Sequence, residues 1–165
     1  MGMPDTTAEV NEIIASIQSR FSDNVVVSKK NPNATATAKD YDRRVYVTCD
    51  REAIHDVCQF ARDELKFEHC SIVTAVDWVD HLDIVYLLDN YYNGVMMEIV
   101  TQVPDADMHI ATVSDLWGGA NWHERETYEL FGIIFDGHKK LERLLTPDTY
   151  EFFPFRKSYK LRGQE

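Results

Sequence analysis

SIVTAVDWVDHLDIVYLLDNYYNGVMMEIVT, residues 71–101, decides the fold. It divides into three runs rich in β-branched and aromatic residues, Ser71 to Val79, Leu82 to Asn90 and Val95 to Thr101, a composition that suits a pleated, half-buried surface. Asp80-His81 and Asn93-Gly94 separate them, and Asn-Gly is a strong hairpin signal because both residues tolerate a positive φ. The stretch therefore predicts a three-stranded antiparallel meander.

Outward toward the N-terminus the period changes. Ile54, Val57, Cys58, Ala61 and Leu65 form one apolar stripe at helical spacing, with Asp50 placed to cap the helix. Before it, Val45 to Val47 and Val25 to Val27 read as strands, joined over residues 29–42 by a polar connection. Thr6 and Glu9 have capping-box spacing, and Val10, Ile13, Ile14, Ile17 and Phe21 continue as a second one-sided helix. The order helix, strand, strand, helix, three strands predicts an α+β two-layer sandwich, two helices on a mostly antiparallel sheet. Its compact core spans residues 1–118. Pro104 to His109 reads as a loop, Ser114 to Trp117 as one helical turn, and Gly118-Gly119 as the break before residues 119–165.

That last segment contains NWHERETYELFGIIFDGHKKLERLLTPDTYEFFPFRKSY, residues 121–159. Asn121 and Glu124 again have capping-box spacing, and Gly132 suits a helix end, so a short helix is expected from Trp122. Helical geometry puts Arg125, Glu126 and Glu129 on one face with Trp122, a mixture that fits a protein contact better than open solvent or a dry core. Past Gly137 the chain shows neither regular period, and Pro147 stops any helix begun by Leu141, Leu144 and Leu145. Tyr150, Phe152, Phe153 and Phe155 crowd around Pro154 in a segment expected to need a ready-made surface, either its own sheet or a partner.

Composition narrows the function. The chain of 165 residues carries a net charge of −11, which opposes non-specific binding to nucleic acid or anionic lipid. The charge is uneven: residues 138–165 are net +3 and residues 1–137 net −14, giving a basic end on an acidic body. The seven glycines make no dinucleotide or phosphate-binding loop, and Cys49, Cys58 and Cys70 lack the spacing of a disulfide framework, zinc site or iron–sulfur site. His123-Glu124 begins like a zinc-protease helix, but Thr127 stands where its second His belongs. The absence of a signal peptide or membrane-length apolar run gives the expectation of a cytoplasmic protein. Three readings of the motif remain open: a solvated charged helix, a docking surface, or a stand-alone acid/base enzyme using Glu124, Glu126, Glu129, His123 and His138.

Glu124-Arg125-Glu126, Glu129-Leu130-Phe131-Gly132-Ile133, Phe135, Gly137-His138, Arg143-Leu144-Leu145, Pro154, Arg156-Lys157 and Tyr159 form an ordered set. With them the segment resembles the thirty-kilodalton subunit of complex I, the C subunit of NADH:quinone oxidoreductase, whose relatives include components of archaeal deazaflavin dehydrogenases and membrane-bound hydrogenases. Lys139, Glu142, Phe153 and Ser158 stand where that family usually has Pro, Arg, His and Asp. The resemblance implies a non-catalytic docking subunit in the hydrophilic arm of a membrane redox complex that couples oxidation of NADH or a reduced deazaflavin to quinone or phenazine reduction and ion translocation, or of a related hydrogenase. It implies no cofactor on this chain, iron–sulfur clusters in partner subunits, and a peripheral place on the cytoplasmic side of the cell membrane. The implied partners are the large quinone-site subunit, lettered D in that family of complexes, and the iron–sulfur subunits, lettered B and I. The contact residues expected are Trp122, Glu124, Arg125, Glu126, Glu129, His138, Arg143, Phe153, Phe155, Arg156 and Lys157.

Overall fold

A computed structural model describes residues 6–29 and 43–160. In chain order the elements are α1 (Thr6–Arg20), β1 (Val25–Ser28), β2 (Arg44–Cys49), a 3₁₀ turn (Arg51–Ala53) leading into α2 (Ile54–Asp63), β3 (His69–Asp77), β4 (His81–Asn90), β5 (Val95–Pro104), β6 (His109–Ala111), α3 (Ala120–Phe131) and β7 (Ile134–Asp136). From residue 30 on, the polar connection expected over residues 29–42 falls outside the described residues.

The expected α+β architecture is present, with a five-stranded sheet in the order β1-β2-β5-β4-β3. β1 with β2, β4 with β5 and β3 with β4 are antiparallel, while β2 and β5 run parallel. The parallel pair arises because α2 carries the chain across from β2 to the far edge, and the meander then returns to lay β5 beside β2. Alternation along β4 buries Leu82, Ile84, Tyr86 and Leu88 on one face. These residues join Val45, Val47, Met97 and Ile99 beneath Val10, Ile13 and Ile17 of α1 and Ile54, Val57, Cys58 and Ala61 of α2. Phe21 and Phe60 meet edge to face at 5.6 Å in the same layer.

Three local details refine the sequence reading. Asp50 makes no side-chain cap, because the 3₁₀ turn intervenes before α2 begins. The β4–β5 connection has four residues, Tyr91 to Gly94, and is organised by Asn90: its side-chain oxygen accepts the Tyr92 N–H at 2.9 Å while its amide donates to the Leu65 carbonyl at 2.9 Å. Between β3 and β4, Val79 takes φ +85°, an uncommon conformation for a β-branched residue, held by its N–H donating to Asp77 Oδ1 at 2.7 Å.

β3 is an edge strand, and α3 runs along it: the Thr127 hydroxyl lies 3.0 Å from the Val73 carbonyl, covering backbone that would otherwise be open to another strand. β6 and β7 form a small parallel sheet, with His109 opposite Ile134 and Ala111 opposite Asp136, so backbone pairing straddles residue 118. All three cysteines are buried and free. Burial pushes the Cys49 and Cys70 thiols up to about 12 and raises Cys58 well above the ordinary value.

The Tyr86 hydroxyl is enclosed among these core residues and, among the described residues, has no hydrogen-bond partner. An unpaired buried hydroxyl is a desolvation cost with no return. Tyr86→Phe is therefore expected to leave stability unchanged or raise it by up to about 1–2 kcal/mol. Urea titration of the two proteins measures this; a loss of more than about 1 kcal/mol would reveal a partner for the hydroxyl.

Candidate functional site

α3 and the segment after it form one polar framework. Gly119 occupies the N-cap position and α3 begins at Ala120, so Asn121 and Glu124 do not form the expected capping box. Gly132 ends the helix at φ +86°, its N–H bonded to the Tyr128 carbonyl at 2.8 Å. A side chain there would also meet the Phe153 ring, 2.9 Å from where a Cβ would stand. The tail thus closes over the end of α3.

The face expected to be charged and outward is split. Trp122 is 55% exposed, with the Arg125 guanidinium 5.1 Å from its ring centre, whereas Glu124 and Glu129 are fully buried. Burial would raise the Glu129 pKa, but donors of Thr146, Leu145 and Leu144 outweigh it and hold the carboxyl below its ordinary value. Leu144 and Leu145 donate their N–H groups to Oε2 at 2.6 and 2.8 Å, and the Thr146 N–H donates to Oε1. Three successive N–H groups wrap one anion. One turn earlier, Arg125 donates Nε to the Glu142 carbonyl at 3.0 Å and Nη2 to the Arg143 carbonyl at 3.1 Å. A cation takes the carbonyls and an anion takes the amides of one irregular stretch.

Other cations fasten the remainder. Arg143 donates to the Thr146 hydroxyl at 3.0 Å, and its guanidinium lies 5.6 and 5.7 Å from the ring centres of Tyr150 and Phe153. Arg156, nearly buried, pairs through Nε with Asp77 Oδ2 at 3.1 Å and through Nη2 with Asp105. Asp77 also accepts the Lys157 N–H at 2.9 Å, and the Lys157 ammonium lies 5.4 Å from the Trp78 ring centre. Burial opposes ionisation of Asp77, yet the Lys157 and Val79 N–H groups and the nearby cations lower its pKa.

The polar groups of Arg125, Glu129, Arg143 and Arg156 face their own chain. Asp77, Asp105 and the 144–146 amides were not marked by sequence, since no local period links them to α3. Part of the apolar side faces out. Leu145 is 67% exposed, and Phe152 and Phe155 are 60% exposed. Phe155 still meets Phe131 edge to face at 5.7 Å and lines a notch of about 140 Å³ with Ile72, His123, Glu126 and Leu130.

Glu124 anchors the inner side of α3. Its Oε1 accepts the Val113 N–H at 2.7 Å and its Oε2 accepts the Thr112 hydroxyl. Desolvation raises its pKa to about 7, against the pull of these two donors. The enclosed His138 imidazole places Nε2 3.9 Å from Glu124 Oε2 and 3.3 Å from the Asn121 carbonyl, while its Nδ1 accepts the Lys140 N–H at 3.1 Å. This pattern sets a neutral ring protonated on Nε2, and burial lowers its pKa accordingly. Among the described residues there is no group of three or more His, Cys, Asp or Glu side chains that could hold a metal ion.

A profile of the family described as "Respiratory-chain NADH dehydrogenase, 30 Kd subunit" matches residues 47–165. The C subunit of NADH-quinone oxidoreductase from Geobacter sulfurreducens is 33% identical over 162 residues, covering 96% of this chain and 94% of that protein. The protein of the same name from Salinispora tropica is 41% identical over 118 residues, 68% of this chain, and this chain spans 48% of its length. A chain in the structure of the membrane-bound sulfane sulfur reductase (MBS), an archaeal respiratory membrane complex, shares the fold with a TM-score of 0.76 at 24% identity, covering 92% of this chain and 86% of that one. The trypsin-resistant fragment (1-134) of Nqo5 shares it at 0.64 and 22% identity, covering 81% of this chain and 99% of that one.

Two outcomes follow from the buried carboxylates. Glu129→Ala leaves the 144–146 amides without their anion, so stability should fall by about 1–3 kcal/mol, with faster hydrogen exchange confined to residues 142–157. A raised folded-state pKa for Glu124 means that its favourable contribution is complete below about pH 4.5 and lost as pH rises through about 7. Over that window the wild type should lose up to about 3 kcal/mol relative to Glu124→Gln in urea titrations. Parallel pH profiles for the two proteins would show that Glu124 ionises normally.

Proposed function

The chain belongs to the family of the 30 kDa subunit of respiratory-chain NADH dehydrogenase, and we propose that it is a non-catalytic docking subunit in the hydrophilic arm of a membrane redox complex of the complex I type. In that complex, oxidation of NADH or a reduced deazaflavin is coupled to quinone or phenazine reduction and to ion translocation. The electron carriers, including iron–sulfur clusters, belong to the other subunits. This chain meets the large quinone-site subunit and the two iron–sulfur subunits lettered B and I, on the cytoplasmic side of the membrane. No described helix is long and apolar enough to cross a membrane, which accords with a peripheral place.

One observation carries this reading: the tail is held to α3 by its polar groups, while two of its rings, Phe152 and Phe155, stay mostly exposed. A segment folding only for its own stability would bury Phe152 and Phe155 and leave its charges in water, because burying a large apolar side chain contributes about 1.5–3 kcal/mol. The arrangement here is reversed. Exposed aromatics on a rigid support are suited to anchoring a protein interface, since little further order is needed on association. The acid/base reading is weakened by the same geometry, which encloses Glu124 and Glu129 with their oxygens engaged.

The double variant Phe152→Ala, Phe155→Ala should change the stability of the free subunit by less than about 1 kcal/mol, as both rings are mostly exposed. Recovery of the tagged variant with iron–sulfur and membrane subunits from its source cells should fall at least tenfold. Equal recovery of the intact complex by both proteins would count against docking through these rings.

A further inference from the structure

We propose that the sheet face opposite α1 and α2 is a second docking surface, receiving an apolar segment of a partner protein that brings a Lys or Arg head to the carboxylates of Asp83 and Glu98. This inference rests on the docking reading above and assigns it a second surface, which adjoins the tail at Ile72 beside Phe155.

Strand register maps the face. Tyr46, Glu98, Leu87 and Ile72 lie opposite one another across β2, β5, β4 and β3. The next row on the same face is Val26, Thr48, Val100, Val85 and Thr74, and beyond it lie Gln102, Asp83 and Val76. Among the described residues α1 and α2 pack on the other side, against Val45, Val47, Ile84 and Tyr86, while α3 borders this face at Ile72 and Thr74. Val26 is 71% exposed, Val76 42% and Ile72 38%, so the face is apolar and accessible at both edges. Apolar side chains left exposed on a sheet face that α1 and α2 do not cover make it a candidate interaction surface.

At its centre lies a cavity of about 170 Å³ lined by strand residues, including Tyr46, Asp83, Glu98 and Val100. One of its two carboxylates, Asp83, is incompletely answered among the described residues. Asp83 Oδ2 accepts the Trp78 indole N–H at 2.8 Å, but Oδ1 is buried without a hydrogen bond, with His81 Nε2 3.6 Å away. Burial raises the Glu98 pKa against the attraction of Arg44. An anionic cavity within an apolar field calls for a cation at the end of an apolar stem, as in Lys and Arg.

Charge also selects among occupants. A second copy docked face to face would set Asp83 and Glu98 against their own equivalents on chains of net charge −11. An anionic membrane is disfavoured by the same carboxylates.

The test is photo-crosslinking in the assembled complex from source cells, with benzoylphenylalanine replacing Val100 in one preparation and Phe155 in another. The Val100 probe is expected to join a peptide of another subunit that contains Lys or Arg. Combining that probe with Glu98→Gln and Asp83→Asn should lower its yield at least fivefold and leave the Phe155 yield unchanged. A crosslink from Val100 to this chain's own residues, to a second copy or to nothing, while Phe155 joins a partner, overturns the second surface and leaves docking through the tail standing. Silence at both positions overturns the docking reading as well.

Discussion

Five hydrogen bonds between two side chains of α3 and the backbone of residues 142–146 govern how this molecule ends. Irregular backbone cannot satisfy its own polar groups, and ordering it costs about 1–2 kcal/mol per residue. Arg125 and Glu129, four residues apart on the helix, present opposite charges to the two kinds of backbone group. Hydrogen bonds to charged groups contribute about 1.5–3 kcal/mol each, so five are enough to fix the five residues they hold, with little left over. The later part needs its own fastenings, supplied by Arg156 on Asp77 and by Phe153 over Gly132.

That division of labour connects energetics to function. Polar groups that would ordinarily face water hold the tail in place, and aromatic groups that would ordinarily be buried are displayed. The inner anchor is also polar: Glu124 ties α3 to the backbone before it through Val113, while Thr127 ties it to β3. α3 is therefore set in position from the sheet side and in turn positions the tail. The basic end and acidic body visible in the composition meet at Arg156, which bridges β3 and the loop after β5.

Much of the sheet could be read directly, because alternation in β4 and the Asn93-Gly94 turn are local signals. The parallel β2–β5 pair was less accessible, as it depends on where a crossover sets the chain down. The motif helix was recognisable from its sequence, but its orientation was not. Glu124 and Glu129 look like surface residues at helical spacing, and only the arrival of Val113 and residues 144–146 from elsewhere allows them to be buried. The same limit applies to Arg125: its charge advertised a contact, while the carbonyls that receive it belong to a segment with no pattern of its own. Asp77 was hidden because it looks like an ordinary strand residue.

The buried thiols have a chemical consequence. With pKa values of about 12, Cys49 and Cys70 are ionised to only about one part in 10⁵ at neutral pH, and the thiolate is the form that peroxides and alkylating agents attack. Burial thus keeps the sulfur inert without any scavenger or disulfide. Because all three sulfurs sit under the helices, their reactivity returns only when that layer lifts, and the rate of modification becomes an internal clock for opening of the core.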